Sequence, residues 1–350
     1  MEFERREAPL WRSQASVSSM MLQVLAALVP AALAHVWFFG PGLIFNLLVA
    51  AIFATGGEAL VMHLRGRQPG AALLDYSALV TAALLAFAMP PLTPWWVTAT
   101  GSLFAVIVAK HLYGGLGFNI FNPAMAGYVV VLISFPADLS LWVPPRMGDL
   151  DYQYLTMLET LRFTLTGNLP DALTFDAVTR ATPLDAVKAG LGNMMTIEEI
   201  RANPIMGDFG GRGWEWIGNF LAVGGIWLLI RGIIRWHIPV AMLAGLLIPA
   251  TVLYLVDAGA HPGPGFHLFS GATILGAFFI ATDPVSAAAS PRGRIIYGFG
   301  IGFLTWCIRH WGSYADGVAF AVLLMNMAVP ALDLVTKPRI IGHAGRGGAA

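Results

Sequence analysis

Long apolar runs separated by short polar turns dominate the chain. A helix needs about 20 apolar residues to cross the hydrocarbon core of a bilayer, and ten segments approach that length: 18–39, 41–63, 71–89, 94–110, 119–136, 214–231, 238–256, 266–282, 294–309 and 317–334. Gly, Asn and Pro interrupt the runs 94–110 and 119–136. Such breaks survive in lipid only where neighbouring protein or a cavity satisfies the freed backbone groups. One long polar interval, 137–213, parts five spans from five. The pattern predicts an all-α polytopic membrane protein in three parts. These are residues 1–136 as an N-terminal tail and first five-helix half, 137–213 as an extramembrane loop, and 214–350 as a second five-helix half with its C-terminal tail.

Composition agrees with a bilayer. Residues are 57% hydrophobic and 11% charged, against roughly a quarter charged in soluble domains. Twenty basic residues balance twenty acidic ones without a long basic run, which excludes nucleic acid as a partner. Cys307 is the only cysteine, so an internal disulfide or a cysteine-ligated iron-sulfur cluster cannot come from this chain alone. "AALA" at 31–34 resembles a leader cleavage site. The apolar run around it is long for a leader, and a retained span is expected.

Arginine and lysine give the sidedness. One set of turns and tails holds Arg5, Arg6, Arg12, Arg65, Arg67, Lys110, Arg231, Arg235, Arg292, Arg294, Lys337, Arg339 and Arg346, while the short turns opposite hold only Arg309. Both termini are therefore expected in the cytoplasm and residues 137–213 outside, in the cytoplasmic (inner) membrane. The halves also echo each other. "SALVTAALLAFAMPP" from Ser77 and "SGATILGAFFIATDP" from Ser270 share a serine start and a proline at the fifteenth place, and "KH" at 110–111 is answered by "RH" at 309–310. An odd number of spans per half would invert the second repeat relative to the first, an arrangement that forms sites near the midplane from broken helices. Chance similarity between two apolar helices is the competing explanation.

The outer loop carries the most distinctive polar stretch, "DAVTRATPLD" at 176–185. Its T-P-L-D places Thr182 at an N-cap, proline at the first helical position and Asp185 at the third, followed by a short helix ending near Gly190. That cap is a sufficient structural role. A helix N-terminus is also a ready site for a phosphate. Asp176, Thr179, Ala181 and Thr182 match the signature D-x-x-[ST]-x-A-T, found in proteins that carry FMN on its last threonine. With "GFNIFNPAMAGY" at 117–128, "HLFSGATILGAFFIATDPVSA" at 267–287 and "DGVAFAVLLMNMAVPALD" at 316–333, the chain resembles, over nearly its whole length, one family of membrane proteins. That family holds the D subunit of the Rnf electron-transport complex and the B subunit of the sodium-pumping NADH:quinone reductase. The short stretch before the first span, some 17 residues, favours the Rnf branch.

The resemblance implies a phosphoester of FMN at Thr182, made by a separate flavin transferase, and a second, non-covalent flavin (riboflavin or FMN) in the membrane part. Asn119, Asn122 and Asp283, at the inner ends of spans five and eight, are the candidates for that second site. For Asn119, Asn122 and Asn326 alike, coordination of a cation through oxygen, a hydrogen bond to a flavin ring and interhelical glue are the competing readings. "SGAT" at 270–273 is a rival attachment motif, but His267 fills its aspartate place and Thr273 falls inside a span. Arg180 is read as a solvated side chain.

Ionisable groups within spans are costly and usually paired or functional. Glu58 and Asp75 are the candidates for an ion pathway, whereas Lys110, Asp283 and Asp333 are expected to reach the water boundary as snorkelling or capping groups. The histidines show no helix with a spacing suited to haem. The reading is a subunit, inactive alone, of an ion-motive ferredoxin:NAD oxidoreductase that passes electrons through flavins, coupled to Na+ or H+. It implies partner subunits carrying flavin and iron-sulfur clusters, and membrane lipid around the spans. The quinone-reductase paralogue and a non-redox channel or transporter are the alternatives.

Overall fold

The computed structural model describes residues 16–147 and 152–337, the side chain of Ala71 excepted. Both expected cytoplasmic tails, with Arg5, Arg6, Arg12, Arg339 and Arg346, and residues 148–151 of the long loop lie outside them. Among the described residues the chain is helical, with one isolated β-bridge, Met206 to Gly211, and no strand.

The first half comprises α1 (Val17–Phe39), α2 (Gly42–Leu64), the short α3 (Pro69–Leu73), α4 (Ser77–Ala88), α5 (Trp95–Leu103) and α6 (Pro123–Ser134). Helix α5 runs on as a π-helical stretch, Phe104–His111. Four short helices occupy the polar interval: α7 (Met157–Thr166), α8 (Phe175–Val178), α9 (Pro183–Gly192) and α10 (Ile197–Arg201). The second half holds α11 (Trp214–Ile230), α12 (His237–Val256), α13 (Pro264–Phe269), α14 (Thr273–Leu275), α15 (Pro291–Trp311) and α16 (Val318–Val335). Helix α14 passes into a second π-helical stretch, Gly276–Ile280. Each predicted span meets a helix, and α1, α2, α12 and α16 are long and apolar enough to cross a membrane by length and composition alone.

The first helices of the two halves run antiparallel. Phe39, at the end of α1, stacks edge-on against Trp214 at the start of α11, with ring centroids 4.3 Å apart. At the opposite ends Arg231 Nε donates to Gln23 Oε1 at 3.1 Å. First span packs on first span (α1 on α11) and last on last (α6 on α16), while within each half the second helix packs on the fourth (α2 on α5, α12 on α15). Residues 17 and 335 thus share one side, and the interval holding α7 to α10 lies on the other, fastened to the second half where Ile197 N donates to Gly259 O at 2.8 Å.

Two predicted spans are shorter or more broken than the apolar pattern suggested. The run 71–89 is split between the end of α3 and α4, which starts only at Ser77, because Tyr76 takes a left-handed conformation (φ 61°) and the Asp75 carboxylate accepts from Ser77 N at 2.7 Å. The run 266–282 breaks at residues 270–272, where Gly271 has φ 62°. Its freed backbone groups are met by side chains of the next span and turn. Arg309 donates from Nη1 to His267 O (2.9 Å) and from Nη2 to Ser270 O (3.0 Å), and Ala272 N donates to Asp316 Oδ2 (2.6 Å). Hydropathy registers only apolar content, so it could not see these breaks.

In lipid, helix association relies on close packing of small residues rather than on apolar burial. Helices α12 and α15 meet through glycines on both, and a Cβ added at Gly302 would run into the Met242 carbonyl. Gly302→Leu should therefore cost at least the ~1–3 kcal/mol of core overpacking, read as a lower melting temperature of the detergent-solubilised protein. An unchanged melting temperature would contradict the α12–α15 contact.

Candidate functional site

Thr182 caps α9 as the sequence indicated. Its hydroxyl oxygen accepts from Asp185 N at 3.2 Å, and the Asp185 carboxylate accepts from Thr182 N (3.3 Å) and from the Thr182 hydroxyl (2.6 Å). The helix ends at Gly192, two residues beyond the expected place. Thr156 and Thr196 form the same capping box with Glu159 and Glu199. Hydrogen bonds from their cap backbones hold the Glu159 and Glu199 carboxyls below the ordinary range. Capping alone therefore does not distinguish Thr182.

Its location does. Among these three threonines, Thr182 alone lines a cavity of about 510 Å³ that opens beside α9 and runs between the two halves. Trp142, Trp214, Tyr128, Phe87 and Tyr314 give the cavity aromatic walls, and Met125, Leu275 and Ile280 line its apolar part. Helix α9 is held over it from both faces. Pro183, Leu184 and Val187 are buried, the last two in a small apolar cluster with Ile197, Ile200 and Phe266. Lys188 Nζ donates to the carbonyls of Gly312 (2.5 Å) and Tyr314 (2.7 Å), in the turn between α15 and α16. Burial pushes the Lys188 ammonium below its ordinary range.

The other signature residues sit just upstream. Asp176 is exposed on α8, Ala181 is exposed at the cavity rim, and the Thr179 hydroxyl donates to Phe175 O at 2.8 Å. Arg180, expected to be simply solvated, lies over the Tyr152 ring at 4.9 Å, and its backbone N–H holds the Trp142 carbonyl at 2.8 Å. The rival Thr273 is fully buried. Its hydroxyl donates to His267 O at 2.8 Å and accepts from Arg309 Nη2 at 2.9 Å.

On the opposite side the structure brings Asn119, Asn122 and Asp283 around one smaller cavity of about 150 Å³, also lined by Ser77, Lys110 and Thr282. Asn122 caps α6 by accepting from Met125 N (3.1 Å) and ties the halves by donating to Ile280 O (3.2 Å). Asn326 accepts from Asn122 N (3.0 Å) and donates to Ser286 O (3.1 Å) and Tyr297 Oη (2.8 Å), which makes it interhelical glue. Asn119 Oδ1 is buried without a hydrogen-bond partner. Asp283 caps the turn after the second π-helical stretch by accepting from Ser286 Oγ at 2.7 Å, and Asp333 accepts from Ala289 N at 2.9 Å. Residues 122–125 and 278–280 wall the two cavities off from each other.

Glu58 and Asp75 belong to a single hydrogen-bonded chain. Asp75 accepts from the Ser77 hydroxyl, which accepts from Lys110 Nζ at 2.7 Å, and Lys110 in turn is ion-paired with Glu58. His111 Nε2 lies 3.1 Å from the same Glu58 oxygen, and the second oxygen, Oε2, has no partner. Lys110 was expected to snorkel to water but is 2% exposed. The π-helical end of α5 turns it inward onto α2 and the start of α4, where a partner exists. Arg309 repeats the arrangement on the opposite side with Asp316 (3.0 Å), Thr273 and Ser270. The lysine of "KH" and the arginine of "RH" each reach a broken span, at Ser77 and at Ser270. No group of three or more His, Cys, Asp or Glu suited to a metal ion exists among the described residues.

The cavity has no local signal in the sequence, because its walls come from α1, α4, α6, α11, the segment at 140–142 and the turn at 313–316.

A family model described as NQR2, RnfD, RnfE family matches residues 5–342. The chain is 49% identical over 350 residues to the D subunit of the ion-translocating oxidoreductase complex of Vibrio cholerae serotype O1 (strain ATCC 39541), covering 98% of this chain and 100% of that protein. It is 46% identical over 345 residues to the protein of the same name from Aeromonas hydrophila, covering 97% and 99% respectively. The Salmonella arizonae protein of that name is 46% identical over 351 residues, with 98% and 99% covered.

Breaking one member of a buried ion pair strands the other, at a cost of about 3–5 kcal/mol. Lys110→Met should sharply lower the thermal stability of the purified protein, and adding Glu58→Gln should recover most of the loss. A double variant no more stable than Lys110→Met would contradict the pairing.

Proposed function

From the premise that the chain belongs to the NQR2, RnfD, RnfE family, we propose that it is a membrane subunit of an ion-translocating oxidoreductase complex, carrying FMN as a phosphoester on Thr182. The observation that supports this most is the placement of the Thr182 hydroxyl at the rim of a 510 Å³ aromatic-lined cavity. That volume lies within the ~300–1,000 Å³ of small-molecule sites, and the residues present fit a planar heteroaromatic group tethered at the rim. When bound, the flavin supplies the electron chemistry, and the protein supplies position and electrostatics.

The chain's own residues account for the rest. The free N–H groups and positive dipole end of α9 face the hydroxyl and favour a phosphate there. Esterification would remove the proton that Thr182 now donates to Asp185, whose exposed carboxylate can turn to water. Lys188 and the cluster around Leu184 keep α9 over the cavity. The wall of Trp142, Trp214 and Phe87 excludes water and offers faces for stacking.

The second, non-covalent flavin, riboflavin or FMN, is proposed for the smaller cavity, supported by the unpartnered Asn119 Oδ1 and by the convergence of Asn119, Asn122 and Asp283. At 150 Å³ this cavity admits such a ring system only in part without movement of its lining. The Glu58 and Asp75 chain beside it is proposed to serve translocation of Na+ or H+, since its buried, unsatisfied Glu58 Oε2 offers an acceptor within the membrane part. Partners are the remaining subunits of an Rnf-type complex, including flavin- and iron-sulfur-carrying ones, a flavin transferase acting outside the cytoplasmic membrane, and lipid. In this reading both termini are cytoplasmic and Thr182 faces outward.

Gel fluorescence tests the attachment. The denatured wild-type polypeptide, co-expressed with a flavin transferase, should fluoresce under ultraviolet light, and Thr182→Ala should be dark. Fluorescence that persists in Thr182→Ala would move the attachment elsewhere. The substitution should also remove about 1 kcal/mol of cap stability, too little to prevent folding.

A further inference from the structure

The large cavity has two kinds of polar lining. Thr182, Asp185, Ser140, Ser313 and Asp316 cluster at its mouth, near the extramembrane segment. Farther in, the walls are Phe87, Met125, Leu221, Leu275 and Ile280, and the polar side chains among them are His35 and Tyr128. His35 is 4% exposed, and its Nδ1 has no hydrogen-bond partner. That atom is covered by protein, so a group in the cavity meets the imidazole through the rest of its edge. Its ring is held in place by Phe39 at 5.3 Å and Phe87 at 6.3 Å between centroids. Helix α1 therefore presents a fixed imidazole at the wall of a space with few other polar groups.

We propose that His35 is a positioning residue that hydrogen-bonds the heteroaromatic ring of the group tethered at Thr182 and tunes its reduction. This rests on the reading of Thr182 as the flavin attachment site. A neutral imidazole donates one N–H. A donor to a ring nitrogen or oxygen strengthens as the ring gains electron density, so it stabilises the reduced ring over the oxidised one. In an apolar surround that preference is stronger than in water. The ligand class this selects is a flat, fused heteroaromatic with acceptor atoms on its edge, and a purely hydrocarbon occupant would leave His35 unsatisfied.

The test compares wild type, His35→Leu and His35→Gln, each co-expressed with the flavin transferase and purified in detergent, by gel fluorescence and by spectroelectrochemical titration. All three should carry equal covalent flavin. His35→Leu should have a lower midpoint potential and a shifted absorption band, and His35→Gln, which keeps a donor, should lie nearer wild type. A Leu variant with wild-type potential and spectrum, or one raised in potential, overturns the role of His35 while leaving the attachment intact. A non-fluorescent wild type overturns the attachment reading itself. Equal melting temperatures for the Leu and Gln variants, with different potentials, would separate ring contact from a merely structural loss.

Discussion

The structure depends on one constraint, that every backbone polar group at membrane depth must find a partner inside the protein. Two of the predicted spans are broken: at the first the Asp75 carboxylate meets the freed Ser77 N–H, at the second Arg309 and Asp316 meet backbone groups of His267, Ser270 and Ala272, and a cation from the following span lies at each break. Lys110 reaches the start of α4 through Ser77, and Arg309 reaches the break before α14 through Ser270, Thr273 and His267. Both cations are buried and both are paired, Lys110 with Glu58 and Arg309 with Asp316. Lys110 lines the smaller cavity and Asp316, the partner of Arg309, the larger, each a space between the two halves.

That space is where the candidate sites lie. The larger cavity opens under the segment that holds α7 to α10, which folds around two small apolar clusters and places a threonine hydroxyl at the rim. The smaller cavity opens beside Lys110. Asn122, Asn326 and the carbonyl of Ile280 link the halves at the wall between the cavities, so a change in charge on one side acts on hydrogen bonds that the other side shares. This gives the proposed redox and ion-translocating roles a common physical element.

Much of this was legible in the chain. The apolar runs each meet a helix, four of them long and apolar enough to cross a membrane, and T-P-L-D gives the cap at Thr182 with its partner Asp185. The "KH" and "RH" echo marks two buried cations, each bonded to the serine that opens its matching stretch, Ser77 and Ser270. What escaped were features set by distant partners. Hydropathy counts Ser270 and Gly271 as span, and only the guanidinium of Arg309 shows that the helix stops there. Lys110 looks like a boundary lysine until Glu58, fifty-two residues away, is seen to face it. His35 carries no local signal, and its lack of a partner is visible only beside the cavity that α4, α6 and α11 enclose.

The central claim is that the extramembrane threonine at the cavity rim bears the flavin. Peptide mapping by mass spectrometry of the wild-type protein, isolated from cells that contain a flavin transferase, tests it most directly. The account requires one FMN phosphoryl group on the peptide that contains Thr182. Recovery of that peptide only in unmodified form, or of the flavin on a different peptide, would contradict it.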